Sequence, residues 1–397
     1  MSDLLTIDEA LARIRERAQL LPVEIVAVAD AAGRILREPA VSRVDLPPFA
    51  SSAMDGFALR AADTPGELTV SFRIAAGSPS QGSLSPGSAA AIATGGAVPE
   101  DADAVIPVEH VVDHGDRVEI NEPVSLGQHI RPRGGDAREG DTVVVAGTRL
   151  AAAQVGALAA AGVAEVCCSA RPRVAVLATG SELRAAGESL APGQIYESNR
   201  AMIAASLRRA GAAVELLPVV EDDESAHREA LERGLDADVL VTSGGVSMGP
   251  HDLVHRVAGD LGVEEVFWGV AVKPGKPLFF GVRGATLVFG LPGNPVSSLV
   301  GSLVFVTPAL LERQGLASAN LGYEHGHATI ALPRNRQRDE FVRARRHDEE
   351  DRVLLEPVSG QESHMIVRAA TADALVHVPR GEGEITAGST VRYLRLE

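Results

Sequence analysis

The stretch Asp238–Val257, "DVLVTSGGVSMGPHDLVHRV", reads as a buried strand, a glycine-rich loop and a helix. Its first residues form a continuous apolar run, the pattern of a strand covered on both faces. Two adjacent glycines, Gly244 and Gly245, let a backbone come close to a ligand. Ser243 and Ser247 add hydroxyls, and Asp252 adds a carboxylate just beyond the loop. A loop that offers backbone N–H groups, hydroxyls and a carboxylate at a strand end fits an anion accompanied by a cation.

Working outward, the flanking sequence repeats the same alternation. "RVAVLATG" is a strand ending in a Thr-Gly turn, "SNRAMIAASLRRAGA" a helix with Asn199 near its start, and "AVELLPVVED" a strand. "DESAHREALERGL" is a helix, and "TLVFGLPGNPVSSLVGSLVFVTPALLERQ" is a strand, a proline-rich turn and a long helix. Apolar strands alternating with helices predict a mostly parallel sheet covered by helices on both faces. Ligands of such sheets sit at the carboxyl ends of the strands. Four motifs fall there: Glu182 in "LATGSEL", Asp222 in "VVEDDES", the loop above, and the rigid turn of "GLPGNPVSS". Taken singly, each is explained by a cap or a tight turn. Together they predict one pocket, in which glycine loops and a helix N-terminus hold phosphate. Glu182, Asp222 and Asp252 would hold a hard divalent cation, Mg²⁺. Neither a Walker A loop nor a dinucleotide fingerprint occurs.

The rest of the chain has other textures. Residues 3–20 predict a helix capped by Thr6 with Glu9 three residues later. From Val44 to about Pro132, short alternating runs separated by glycine, proline and serine predict an all-β insert. The stretch from Gly134, "GGDAREGDTVVVAGTRLAAAQVGALAAAGVAEV", predicts a return to helix. From about Leu321 the pattern is β again, a small barrel or sandwich. The expected class is therefore a multidomain α/β and β protein: a discontinuous helical domain (1–43 plus 134–168), a β-rich insert domain (44–133), an α/β domain (169–320) and a C-terminal β-barrel domain (321–397). In the insert, Asp55 of "SAMDGFALR" reads either as an Asx-turn or as a carboxylate presented on a fixed loop, and "IRPRGGD", with Arg133 and Asp136 beside glycines, reads either as a surface turn or as an arginine grip on an anion.

Composition excludes some functions. The 397 residues carry a formal net charge of -16 and only 3% aromatic side chains. That argues against nucleic acid and against an anionic membrane surface. The N-terminal stretch shows no leader features, and Cys167 and Cys168 are adjacent, so a reducing, cytoplasmic setting is expected. Of 37 basic residues only two are lysines, Lys273 and Lys276, both in "VKPGKP". A compact ammonium charge at one spot suits an oxyanion.

In order along nearly the whole chain, "SAMDGFALR", "IATGGAVPEDADAVIPVE", "IRPRGGD", "LATGSEL", "GQIYESN", "TSGGVSMGPHD", "VKPGKP" and "LPGNPVS" make the sequence resemble the molybdopterin molybdenumtransferase (MoeA) family and the matching domain of gephyrin. The resemblance implies an elongated homodimer, with the active site shared between subunits. It also implies the reaction in which adenylylated molybdopterin and molybdate give molybdenum cofactor and AMP, with Mg²⁺. It carries functional roles onto Asp55, Thr94, Asp136, Glu182, Asp222, Asp252, Lys273, Pro292, Pro295 and Ser363. On this reading Ser243, Gly244, Gly245 and Ser247 cradle the pterin nucleotide, and Lys273 and Lys276 neutralise molybdate or developing phosphate charge. Transient contact with a molybdopterin adenylyltransferase is a further expected partnership. The competing expectations are the related pterin adenylylation and a gephyrin-like dimeric scaffold.

Overall fold

The structure is a computed structural model that describes residues 4–77, 82–245 and 253–396. The chain forms two compact units: one of residues 1–24, 33–37 and 168–397, the other of residues 25–32 and 38–167.

At the centre of the first unit is a six-stranded sheet. Its order is Ala213–Leu216, Arg173–Ala178, Val239–Ser243, Thr286–Leu291, Phe279–Arg283, Glu264–Trp268. The first four strands run parallel, Phe279–Arg283 runs against them, and Glu264–Trp268 runs antiparallel to Phe279–Arg283. Period-two alternation decides the two faces. Val174, Val176, Val239, Val241, Leu287 and Phe289 point to one side, where the helices Ile7–Arg17 and Asn199–Arg209 pack with the long helix from Pro295. Ala175, Leu177, Leu240 and Val288 point to the other, covered by Glu224–Gly234 and Leu253–Asp260. The apolar strands are therefore buried on both faces, as their continuous hydrophobic runs predict.

The stretch Pro295–Arg313 is long and apolar enough to cross a membrane. Here it is a core helix: Val296, Val300, Val304, Phe305 and Leu310 are almost fully buried. An all-round apolar helix needs cover on every side, and this one finds it in protein. One turn, Ser302–Val306, widens to a π-helix.

The same unit carries a closed five-stranded barrel. Asp339–Glu349 pairs with Arg352–Pro357, which pairs with Glu324–Ala328, then Thr390–Arg395, then Ala374–Val378 and back to Asp339–Glu349. Closure removes free sheet edges. Ala344, Leu355, Val376, Val378 and Tyr393 fill the interior.

The second unit is built on another six-stranded sheet, in the order Ala104–Pro107, Gly56–Leu59, Ser88–Ile92, Gly66–Ile74, Arg117–Ile120, Val112–Asp113. Gly56 lets two of these strands meet: a Cβ there would lie 2.0 Å from the Ile106 carbonyl oxygen. The expected return to helix across residues 134–166 is largely corrected. Only Ala152–Ala160 is helical, while Thr142–Val144 pairs with Ala40–Val41. The β-branched run "TVVV" is bracketed by Gly140 and Gly147, both at positive φ, which closes it into a ribbon. The N-terminal helix is shorter than expected, Ile7–Arg17, but its capping box of Thr6 and Glu9 is present.

Candidate active site

The parallel strands end together, and their last residues are tied by backbone bonds. Thr179 N–H donates to the Ser243 carbonyl at 3.1 Å, Gly180 N–H to Val220 at 3.0 Å and Gly244 N–H to Leu291 at 3.0 Å. Gly244 sits at φ +95°, and a Cβ there would lie 2.7 Å from the Thr179 carbonyl oxygen. No side chain fits, so the backbones of the two loops stay in close approach. Gly293 completes the set, its Cβ direction pointing at the Gly244 Cα 3.8 Å away.

Beneath these loops is a buried polar cluster. The Asn199 amide donates to Ser243 Oγ at 2.8 Å and to the Gly293 carbonyl at 2.7 Å. Ser298 Oγ donates to the Pro292 carbonyl and lies 3.2 Å from Ser243 Oγ. Three motifs far apart in sequence, at 199, 243 and 292–298, thus become one hydrogen-bonded floor. Asn199 heads its own helix, and Pro295 opens a later one at N1, where its missing N–H costs nothing. The N–H of Val296 donates to the Ser363 carbonyl at 3.0 Å, so the barrel's Ser363 loop meets the start of this helix. Gly275, between the two lysines, packs against the Ser297 carbonyl, 3.5 Å from its Cβ direction.

The carboxylates stand at the rim. Asp222 accepts from Ser181 Oγ at 3.2 Å, while its own N–H donates to that hydroxyl at 3.0 Å. The Glu182 carboxylate folds over Gly180, within 2.8 Å of its Cβ direction. Both acids are exposed. Asp223, beside them, caps the next helix by accepting from Ala226 N–H at 2.9 Å. Ser247 and Asp252, like the rest of residues 246–252, lie outside the described residues. Among the described residues no group of three or more His, Cys, Asp or Glu side chains converges as a metal cage. The exposed carboxylates of Asp222 and Glu182, next to Ser181, are hard oxygen donors of the kind that suit a divalent cation.

The lysines differ. Lys273 Nζ makes an ion pair of 2.9 Å with Glu340 of the barrel, so much of its charge is met within the chain. Lys276 is exposed and makes no ion pair with a described residue. A further arginine was hidden from the sequence reading. Arg343 is 1% exposed, and its guanidinium donates to the carbonyls of Gly360 at 2.8 Å, Met365 at 3.0 Å and Glu362 at 3.2 Å. It therefore shapes the loop that carries Ser363. Burial lowers its pKa, opposed by Glu362. Asn199, Ser298, Glu340 and Arg343 are the residues that sequence reasoning missed as site members. Only Asn199, at a predicted helix start, gave a signal.

In the second unit, Asp55 Oδ1 accepts from Thr94 N–H at 2.6 Å and from Thr94 Oγ1 at 2.8 Å. Those two bonds hold its carboxyl below the usual aspartate range, the backbone one most strongly. Both residues are exposed. Arg133 Nε pairs with Asp45 Oδ2 at 2.6 Å, and Asp136 N–H donates to the Leu46 carbonyl at 2.9 Å with its side chain exposed.

Comparison with known proteins places this arrangement. Residues 5–162 match the MoeA N-terminal region (domain I and II), residues 175–312 a probable molybdopterin binding domain, and residues 326–396 the MoeA C-terminal region (domain IV). The chain is 38% identical to molybdopterin molybdenumtransferase 2 of Mycobacterium tuberculosis, covering 92% of this chain and 93% of that one. It is 34% identical to the molybdopterin molybdenumtransferase of Haemophilus influenzae over 98% of both chains. Among solved structures, the molybdopterin biosynthesis MoeA protein of Pyrococcus horikoshii superposes with a TM-score of 0.81 at 30% identity over 100% of both chains. The chain belongs to the MoeA family of molybdopterin molybdenumtransferases.

Proposed function

We propose that the strand-end pocket binds the pterin nucleotide and serves molybdenum insertion. The chain is a transferase of molybdenum cofactor biosynthesis. The observation that carries the reading is the buried Asn199–Ser243–Ser298 floor, which fixes two glycine loops and a helix start around one strand edge.

In the full reaction we infer, adenylylated molybdopterin and molybdate yield molybdenum cofactor and AMP. A water oxygen attacks the phosphoanhydride of the pterin nucleotide and AMP leaves with its phosphate, while two oxygens of molybdate depart as water with the protons of the two dithiolene thiols and of the medium. The dithiolene sulfurs of the substrate take the molybdenum, so neither cysteine of the chain is required. The N–H of Gly245 would bind a phosphate oxygen, with the positive end of the Pro295 helix beside it; the N–H groups of Gly244 and Val296 are already donated to Leu291 and Ser363. Lys276 supplies mobile positive charge for molybdate or for the charge that develops on phosphate. Lys273, held by Glu340, positions the loop as much as it neutralises. Asp222 and Glu182, with Asp252, would hold Mg²⁺, which supplies charge neutralisation at the phosphates. Pro292 stiffens the turn, and Ser363 presents its backbone to the helix start.

Asp55 with Thr94, and Arg133 with Asp136, form the second set of polar groups. We propose that they serve the same chemistry in a cytoplasmic homodimer whose active sites draw on both chains, in transient contact with a molybdopterin adenylyltransferase. The direct test incubates the purified protein with adenylylated molybdopterin, molybdate and Mg²⁺, and measures AMP and active cofactor. AMP and cofactor formed in step support insertion. ATP-dependent adenylylation of free molybdopterin, with no cofactor from the adenylylated form, would overturn it.

A further inference from the structure

On the outside of the barrel, the strands Asp339–Glu349 and Arg352–Pro357 and the short helix Ile366–Ala369 enclose a cavity of about 310 Å³. Its walls include Arg345, Arg368, Ser359, Thr371 and Glu356. Neither arginine makes an ion pair with a described residue. Other arginines of the barrel are paired, Arg346 with Asp348 at 2.7 Å, Arg352 with Glu349 at 2.9 Å and Arg395 with Glu324 at 2.7 Å, whereas these two face the same cavity. Two guanidiniums without a carboxylate partner among the described residues thus line one cavity.

The local geometry explains how they stay unmatched. Arg345 lies opposite Glu356 in the strand register, yet the Glu356 carboxylate is 3.1 Å from His347 Nε2. Arg345 Nε donates to the Thr371 carbonyl at 3.1 Å, which fixes the plane of its guanidinium and leaves both terminal nitrogens available. Thr371 Oγ1 donates to the Arg368 carbonyl at 2.8 Å and pins the end of the short helix. Arg368 makes no side-chain hydrogen bond to a described residue, and the Ser359 hydroxyl makes none either. The cavity thus presents two planar cationic forks and a hydroxyl, with one carboxylate that His347 already engages.

We propose that this cavity is an accessory site for a small tetrahedral oxyanion of the phosphate class, separate from the strand-end pocket. Two guanidiniums offer paired N–H donors that match phosphate oxygens, and the fixed plane of Arg345 reduces what ordering costs. The neighbouring Glu356 opposes any anion, but two guanidiniums outnumber it, and a compact anion is one that both can reach. Inorganic phosphate and the terminal phosphate of a mononucleotide share this chemistry.

The test is calorimetric titration of inorganic phosphate into the full-length protein, Arg368→Gln and Arg345→Gln/Arg368→Gln, with circular dichroism melts to show that all fold. Arg368 is exposed and carries no bond that the barrel needs. The expected result is a Kd at least about tenfold weaker in the single variant, and one fewer bound phosphate in the double variant. Identical isotherms for all three proteins, or no phosphate binding by the parent protein, would overturn the site. A repeat with AMP as competitor separates the sources. Arginine-dependent displacement by AMP supports the site and assigns it to a nucleotide phosphate, whereas retained phosphate binding in excess AMP supports it and assigns it to the free oxyanion. Because the variants leave Asp222, Gly244 and Lys276 untouched, loss of the strand-end pocket's activity cannot mimic loss of this site.

Discussion

Asn199 is the residue on which the candidate site turns. Its amide is buried and serves two acceptors from two other motifs, Ser243 Oγ and the Gly293 carbonyl. Asn199→Leu keeps the volume but leaves both acceptors without that donor. Such a change costs about 1–3 kcal/mol. Urea unfolding should show that loss, and the KM for the pterin substrate should rise together with it; unchanged stability would mean the floor is satisfied another way. Asp55 makes a different prediction, in pH. Its folded pKa lies below the ordinary aspartate value of 3.8 because Thr94 donates twice to it. A depressed pKa contributes stability that is fully present above the unfolded value and fades as pH falls through the folded one. Melting temperatures of the parent protein and Asp55→Asn should therefore differ by a constant amount above about pH 5 and converge in more acid solution. A gap that stays constant down to acid pH would show that the Thr94 bonds do not depend on the Asp55 charge.

Among the elements, the Ile7–Arg17 helix shows how a local signal and a distant surface cooperate. Thr6 Oγ1 accepts from Glu9 N–H at 3.1 Å, and Glu9 Oε2 accepts from Thr6 N–H at 2.8 Å. Ile7, Ala10 and Ile14 then enter the core of the α/β sheet. Thr6→Ala removes the cap but not the packing, so thermal or chemical unfolding should show a loss of about 1 kcal/mol, with activity retained. A loss several times larger would mean that Thr6 holds more than its own helix. The capping box and the apolar spacing were both legible in the sequence because they span a single turn. The ribbon at Thr142–Val144 was not, because its partner at Ala40–Val41 lies far back in the chain.

At the scale of the whole molecule, the proposed dimer gives the sharpest functional test. Asp55→Asn and Asp222→Asn should each be nearly inactive. Unfolded and refolded together, they should recover about a quarter of parental activity if each site draws on both chains, because random mixing makes about half the dimers mixed and each has one intact site. No recovery after confirmed subunit exchange would place both acids in sites confined to one chain.

The sequence by itself determined the periodic features. The alternation of "RVAVLATG" and "DVLVTSGG" set two buried faces, the glycines set where the strands end, and the proline at 295 set where a helix begins. These follow from forces that act over a few residues: side-chain alternation, positive φ and caps. Tertiary structure alone decided which charges are spent and which remain. Lys273 meets Glu340, Arg343 is consumed by the carbonyls of residues 360–365, and Arg345 and Arg368 keep their charge toward one cavity. The strand "EFVRARRHDE" contains three arginines that look alike in sequence. Arg343 and Arg345 share one side of the strand and Arg346 faces the other, so alternation separates only the last; the first two differ because the loop of residues 360–365 covers Arg343, while Arg345 meets only the Thr371 carbonyl.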